Sequence, residues 1–269
     1  MIDIHTHLHP PRLFAAIRRW FAERSSWVLE HPTEPAAVAA ALEAAGVTRF
    51  VFCSYAHKPG MAAEINQWLA ETSRGLGRYG LPLATVHAED PDPLGDLTRA
   101  FDDGCIGLKL HEDVQKVAVD DERLDAVYAE IAERHGFVLA HVGPIPWDDR
   151  PQGGPDRVGR VLVRHPTLHF VVAHLGSPDT ARYVERFHDH SRLRLDTTMC
   201  LDPAGPMASR FDPAWMDAHP ERFLYGTDYP NVPYAYDAER SALHALGLRE
   251  ATLRGILHDN AAELIAPFD

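Results

Sequence analysis

The chain has 269 residues, 45% of them hydrophobic, which is enough to bury a large core. Its formal net charge of -13 disfavours nucleic acids and anionic membranes as partners, because both require a basic patch. No secretory leader and no run of about 18 apolar residues can be recognised, so we expect a cytoplasmic protein without a membrane span. The three cysteines are far apart among apolar or loop residues, as free thiols are in a reducing compartment.

The first nine residues, M-I-D-I-H-T-H-L-H, predict a short buried strand with two histidines. Strand side chains alternate between faces, so His5 and His7 should point the same way, with Asp3 beside them and Ile2 and Ile4 on the opposite face. Two imidazoles so placed are typical of a metal site that needs further ligands. Asp3 should either hydrogen-bond a ligating imidazole or cap the start of the strand.

Helices and strands alternate along the rest of the chain. Helices are predicted at 11–23 and at 34–45, the second capped by Thr33, and several later helices end at a glycine before a strand. The remaining strands are predicted at 49–53, 81–86, 105–110, 137–141, 168–174, 193–196 and 222–225. Asn260 should cap the last helix.

Eight strands, each followed by helical or loop-plus-helix sequence, favour an α/β fold of the (β/α)₈ TIM barrel type. The length is close to the ~250 residues of such barrels, so a single domain over residues 1–269 is predicted. A doubly wound open sheet is the alternative. It is disfavoured because histidines, and no G-x-G-x-x-G motif, follow the first strand.

In a TIM barrel, the carboxyl ends of the strands converge on one mouth, and this sequence repeatedly places titratable groups there. They are His5 and His7 on the first strand, Lys109 and His111 on the fourth, His141 on the fifth, His174 on the sixth and Asp228 after the eighth. The fifth and sixth strands end in similar sequences, V-L-A-H-V-G and V-V-A-H-L-G. Long connections at 143–156 and 198–212, rich in Gly, Pro and Asp, are predicted active-site loops.

The chain resembles the amidohydrolase superfamily, and within it the amidohydrolase-related branch that includes aminocarboxymuconate semialdehyde decarboxylase, resorcylate-type decarboxylases and several lactonases. The resemblance spans nearly the whole chain. It rests on D-I-H-T-H at 3–7, G-L-K-L-H at 107–111, A-H-V-G around His141, A-H-L-G around His174, G-T-D-Y-P at 226–230 and I-L-H-D-N-A-A-E-L at 256–264. It implies a divalent metal held by His5, His7, His141 and Asp228, with His174 as a nearby acid or base and Asp228 orienting or deprotonating a metal-bound water.

Two other families share the D-x-H-x-H opening but resemble the chain less. TatD-type deoxyribonucleases place an acidic ligand on the fourth strand, where Lys109 stands here, and the net charge disfavours a polynucleotide substrate. PHP phosphoesterases place further ligands soon after the first pair, where this chain offers only His9 and His31.

Imidazoles together with one carboxylate suit Zn²⁺ or a similar ion, and we predict one ion in preference to two. The chemical state of Lys109 decides between one ion and two. In binuclear members of the superfamily a lysine at this position is carbamylated and bridges two metals, whereas the alternative is a buried lysine paired with a carboxylate such as Asp228. His111 is predicted to line the pocket or to add a ligand.

The leading hypothesis is a metal-dependent hydrolase that attacks an ester, lactone or amide of a small molecule, with Asp228 and His174 as catalytic residues. A non-oxidative decarboxylase of an aromatic or unsaturated acid is the second hypothesis, and a non-catalytic metal- or ligand-binding barrel is the third. Substrate contacts are predicted at Trp147, Arg150, Arg210 and Tyr229, with the arginines gripping a carboxylate. A homo-oligomer is compatible with the sequence.

Overall fold

The computed structural model describes residues 1–143, 154–202 and 211–268. Within these ranges the chain forms eight strands that pair in parallel. They are β1 (Ile2–His7), β2 (Arg49–Cys53), β3 (Gly80–Leu83), β4 (Gly107–His111), β5 (Phe137–His141), β6 (His169–Val172), β7 (Leu193–Asp196) and β8 (Phe223–Leu224). Most of their residues are buried, as expected for a parallel sheet that is covered on both faces.

The strands follow chain order in two sheets, β1-β2-β3 and β4-β5-β6-β7-β8. Backbone hydrogen bonds connect the two sheets at both edges. Between β3 and β4, the Ala84 amide donates to the Gly107 carbonyl at 2.8 Å, and between β1 and the end of β8, the Ile4 amide donates to the Tyr225 carbonyl at 3.0 Å. This is the strand order of the predicted TIM barrel.

Helices lie between the strands in the described ranges. They are α1 (Pro11–Arg24), α2 (Pro35–Ala44), α3 (Ala62–Gly75), α4 (Pro93–Asp102), α5 (Glu112–Gln115), α6 (Asp125–Glu133), α7 (Pro155–Arg164), α8 (Thr180–Glu185), α9 (Ala214–Ala218), α10 (Ala238–Ala245), α11 (Glu250–Arg254) and α12 (Asn260–Ile265). In α4 the Asp92 side chain caps the first turn by accepting from the Gly95 amide at 2.9 Å. Leu97 and Phe101, four residues apart, form its buried face.

Several predicted strands are longer than the observed ones, since β6 ends at Val172 and β8 at Leu224, and two predicted helix caps are wrong. β3 ends at Leu83, so it is shorter than the strand predicted at 81–86. Thr33 does not cap α2, which begins at Pro35 without a side-chain cap. Asn260 does not cap the last helix either, since its side-chain amide donates to the carbonyls of Pro220 and Phe223 at 2.7 and 2.8 Å.

The first strand does not alternate regularly. In the ladder between β1 and β2, Asp3 lies opposite Phe50 and Thr6 lies opposite Phe52. Two residues of β1 therefore lie opposite the single residue Val51. This is a β-bulge, which lets two successive side chains point to the same side of a strand.

The two residues of the bulge are Ile4 and His5. Ile4 packs in a cluster with apolar side chains from strands on the opposite side of the barrel. The Ile4 side chain therefore lies inside the barrel. The Asp3 side chain turns the other way and accepts hydrogen bonds from Thr227 Oγ1 at 2.7 Å and Tyr236 Oη at 3.0 Å. The predicted common face of Asp3 and His5 is therefore wrong, and Asp3 bonds no imidazole among the described residues.

The three cysteines, Cys53, Cys105 and Cys200, are free and buried, as predicted. Burial raises the pKa of Cys53 and Cys105 to about 12, so both thiols stay protonated at neutral pH. None of the helices in the described ranges combines the length and the apolar character that crossing a membrane requires.

Candidate active site

Polar side chains from six strands lie at the carboxyl end of the barrel. The residues that the sequence predicted there are His5, His7, Lys109, His111, His141, His174 and Asp228, and the structure adds Asp196 at the end of β7. Most of them are buried, while His111 and Asp228 are partly exposed. This end of a TIM barrel is where active sites are built.

The centre of the site is the carboxylate of Asp228, which bonds both histidines of β1. Its Oδ1 atom lies 2.8 Å from His7 Nε2 and 3.1 Å from His5 Nε2. Burial acts to raise the pKa of Asp228, but the two imidazoles outweigh it and hold that pKa well below its usual value. Burial lowers the pKa of His7 to about 4. At neutral pH the site therefore contains an ionised carboxylate beside a neutral imidazole.

The backbone around Asp228 explains why the carboxylate reaches both rings. Asp228 has a left-handed φ of 67°, and its amide donates to the His5 carbonyl at 2.8 Å. Gly226 passes so close that a Cβ atom there would lie 2.8 Å from the Cβ of His5. The G-T-D sequence thus provides the close backbone approach that only glycine allows.

Asp196 is a site residue that the sequence analysis missed. Its Oδ2 atom accepts from His5 Nδ1 at 2.8 Å, and its Oδ1 accepts from the amides of His174 and Thr198 at 2.9 and 3.1 Å. Burial and Lys109 lower the pKa of His5, but the two aspartates outweigh them and the net shift is upward. The available signal was a carboxylate as the last residue of a predicted strand.

Lys109 reaches the same cluster from β4. Its Nζ atom lies 2.7 Å from His5 Nε2, and the residue is 1% exposed. The ion pairs of Asp228 are with His5 and His7, so the predicted pairing of Lys109 with Asp228 is not seen in the described residues. A donor that points at Nε2 occupies the direction from which that nitrogen would bind a metal.

The other three histidines form a second row beside Lys109. His111 and His141 stack with ring centroids 4.1 Å apart, and the His174 ring lies 4.6 Å from that of His141. Burial lowers the pKa of all three, and for His111 and His141 it does so strongly. All three are therefore neutral at pH 7 and can act as ligands or proton acceptors.

Among the described residues, two groups of donor atoms are compact enough for one ion, each with all atoms within 4.8 Å of one another. They are His5, His7 and Cys53, and His5, His174 and Asp228. The thiol of Cys53 donates to the Thr6 carbonyl at 3.3 Å and stays protonated, so the second group suits a divalent cation better. His141 belongs to neither group, and its role as a ligand stays a prediction.

One of the four predicted substrate contacts, Tyr229, lies among the described residues. Tyr229 is 2% exposed, and its ring lies against His31 and Tyr236. Its role in substrate binding stays a prediction. Trp147, Arg150 and Arg210 lie outside the described residues.

The family model described as Amidohydrolase matches residues 2–266. No protein with a curated description matches the chain.

Three of the similar solved structures illustrate the range of relatives. An uncharacterised TIM-barrel protein from Bordetella bronchiseptica is 21% identical, with a TM-score of 0.74 and 99% of each chain covered. 2,6-Dihydroxybenzoate decarboxylase from Rhizobium is 17% identical, with a TM-score of 0.70 and 98% of each chain covered. A probable 2-pyrone-4,6-dicarboxylic acid hydrolase from Acinetobacter baumannii is 13% identical, with a TM-score of 0.67 and 98% of each chain covered. These likenesses show the TIM-barrel fold, and the family match over nearly the whole chain shows that the protein belongs to the amidohydrolase family.

Proposed function

We propose that this protein is a metal-dependent hydrolase that attacks an ester, lactone or amide bond of a small molecule. The observation that supports this most is the Asp228 carboxylate, which bonds two histidines and is kept ionised at the barrel mouth. An ionised carboxylate beside a neutral imidazole, here that of His7, can hold a divalent cation and can take a proton from water. Metal-dependent hydrolysis uses both properties.

We assign the metal to His5, His7, His141 and Asp228, with His174 as the alternative to His141, and we propose one Zn²⁺ ion. When bound, such an ion polarises a carbonyl oxygen and lowers the pKa of water to about 7. Part of this donor set is compact, because the ligand atoms of His5, Asp228 and the alternative His174 lie within 4.8 Å of one another, and Asp228 Oδ1 lies 2.8 Å from His7 Nε2. A carbamylated Lys109 bridging two ions is the rival assignment.

The protein residues have separate tasks in this proposal. Asp228 accepts the proton of the attacking water, for which its carboxylate must be ionised. His174 is neutral, and its ligand nitrogen lies within 4.8 Å of the Asp228 carboxylate, so it can take that proton from Asp228 and pass it to the leaving group. Lys109 Nζ lies 2.7 Å from His5 Nε2, where it helps to position that imidazole.

A screen of purified protein tests the proposal. Metal content is measured first, and turnover is then assayed with 4-nitrophenyl acetate, dihydrocoumarin and 2-pyrone-4,6-dicarboxylate beside 2,6-dihydroxybenzoate. We expect hydrolysis of at least one ester or lactone, loss of that activity on chelation, and recovery with Zn²⁺. CO₂ release from the dihydroxybenzoate without any hydrolysis would replace the proposal by the decarboxylase, and stoichiometric metal with no turnover would replace it by a binding protein.

We also propose a cytoplasmic location. It is supported by the free, buried state of the three cysteines, which suits a reducing compartment. Fractionation of cells with an antibody against the protein tests this, and recovery in a secreted fraction would contradict it.

A further inference from the structure

A cavity of about 740 Å³ lies beside the histidines of the candidate active site. We call it the aromatic chamber. Its lining includes one side of α1 and residues that follow β2 and β4, among them Leu13, Ile17, Trp20, Phe21, Tyr55 and His111. A cavity of this size with mainly apolar walls is typical of a small-molecule site.

The α1 wall of the chamber is an apolar helix face that the fold leaves partly uncovered. Leu13, Ile17, Trp20 and Phe21 have the i, i+4, i+7, i+8 spacing of one helix face. Such a face normally packs against the core, but Phe14 is the buried residue of this 14-residue helix. The four residues are only half-buried and line the chamber, and Leu13 also packs against the core cluster that contains Phe52.

The inner end of the chamber is the candidate active site itself. Tyr55 and His111 form the boundary, with their rings edge to face at 5.3 Å. Behind them, His111 stacks on His141 at 4.1 Å, and Tyr55 meets the His7 ring at 5.9 Å. A molecule in the chamber would therefore have one end beside the predicted ligands.

Two cationic residues, Arg24 and Lys116, also line the chamber. The Arg24 guanidinium lies over the Trp20 ring at 5.3 Å and pairs with Glu23 at 3.1 Å. Lys116 is exposed at the end of α5. The acidic Asp113 contributes to the lining but is only 3% exposed. In a protein with a net charge of -13, exposed cations beside an apolar cavity favour an anionic ligand.

We propose that the aromatic chamber binds the non-reacting body of the substrate, and that this body is a flat apolar ring system with a negative charge at its outer end. The ring would lie against Ile17 and Trp20, the charge would lie near Lys116, and the labile bond would lie beside His111. The assignment of this ligand as a substrate rests on the proposed function, whereas its binding does not.

Binding of 2-naphthoate to the metal-stripped protein tests the apolar part of the proposal by calorimetry. Removing metal ensures that the carboxylate of the probe cannot bind to an ion. We expect Ile17→Glu to weaken binding about tenfold and Ile17→Ala to weaken it less, because each reduces apolar contact with the ring. Val163→Glu is the matched control, since Val163 is 73% exposed on α7 and lies outside the lining of the chamber.

Equal affinities in Ile17→Glu and Val163→Glu would overturn the chamber as the binding site, and so would a lack of naphthoate binding. Circular dichroism shows whether each variant is folded, and Ile17→Ala provides the comparison if Ile17→Glu is not. The same probe measured against the neutral 2-naphthol separates the apolar contribution from the charge.

Lys116→Asn tests the charged end. Asparagine removes the cation and tolerates the left-handed φ of 57° at this position. We expect about threefold weaker binding of 2-naphthoate, in keeping with an exposed charge pair, and unchanged binding of 2-naphthol. Equal losses for both probes would overturn the anionic assignment.

Failure of the proposed function is distinguishable from failure of this inference. Naphthoate binding without hydrolysis of any ester or lactone would remove the hydrolase and leave the chamber as a ligand site. Hydrolysis of 4-nitrophenyl acetate with no preference for 2-naphthyl esters, and with no naphthoate binding, would remove the chamber and leave the hydrolase.

Discussion

The Nδ1 atom of His5 lies 2.8 Å from the Oδ2 atom of Asp196, and both side chains are fully buried. This hydrogen bond places the imidazole proton on Nδ1, so that Nε2 is the nitrogen directed at Asp228 and Lys109. The other oxygen of Asp196 holds the backbone amide of His174, which has a left-handed φ of 57°. One carboxylate therefore orients histidines from two different strands.

Asp196→Asn should weaken metal binding by about 10- to 100-fold, because an amide can turn its NH₂ group toward Nδ1 and favour the wrong tautomer of His5. Titration of metal-stripped protein with Zn²⁺ against a chromophoric chelator measures this. Asp103→Asn is the control, because Asp103 is an exposed aspartate at the end of α4. Equal zinc affinities in the two variants would contradict the orienting role.

Asp228→Asn should lower kcat by about 10²- to 10⁴-fold, because the amide cannot accept a proton from water. Some metal should be retained, since the histidines remain. Asp189→Asn removes a carboxylate from a His–Asp contact of 3.1 Å that is exposed to solvent, and its turnover should be unchanged. Wild-type turnover in Asp228→Asn would exclude Asp228 as the base.

The barrel and much of the site could be predicted because each depends on local sequence. Apolar strands followed by helices predict the fold. Histidines at the carboxyl ends of the strands lie at the mouth of the barrel whatever the other strands carry there. Asp228 was predicted in the same way, and the structure brings it to His5 and His7. The family match confirms the predicted resemblance to the amidohydrolase superfamily.

What could not be predicted depends on contacts between distant parts of the chain. The bulge in β1 is defined by its register against β2, so strict alternation placed Asp3 and Ile4 on the wrong faces. The bond between Asp196 and His5 joins residues 191 positions apart. Nothing in L-R-L-D indicates which neighbour will bind that aspartate.

Glu112 should make the folded state less stable as pH rises. The residue is 2% exposed, and burial raises its pKa from 4.5 to about 8, although Oε1 accepts a bond from the Val119 amide. The unfolded chain loses this proton first, so the stabilising effect is complete below about pH 4.5 and declines up to about pH 8. The slope should reach at most about 1.4 kcal/mol per pH unit.

Glu112→Gln removes the titrating group, so the difference in unfolding free energy between variant and wild type should increase with pH across that window. Urea unfolding of metal-stripped protein at several pH values measures it, and the histidines contribute equally to both proteins. Glu133→Gln, an exposed glutamate at the end of α6, should show a constant difference. A constant difference for Glu112→Gln as well would contradict a raised pKa.

Gly226→Ala tests the close approach of the backbone after β8 to the site. A Cβ atom at this position would lie 2.5 Å from Thr198 Oγ1 and 2.8 Å from the Cβ of His5, so the strand or the histidine must move. We expect a loss of about 1–3 kcal/mol in unfolding free energy and weaker zinc binding. Gly75→Ala, in α3 with no atom within 4 Å of the added Cβ, should instead stabilise the protein by up to about 1 kcal/mol and leave zinc affinity unchanged. If both alanines behaved alike, the backbone at Gly226 would not constrain His5.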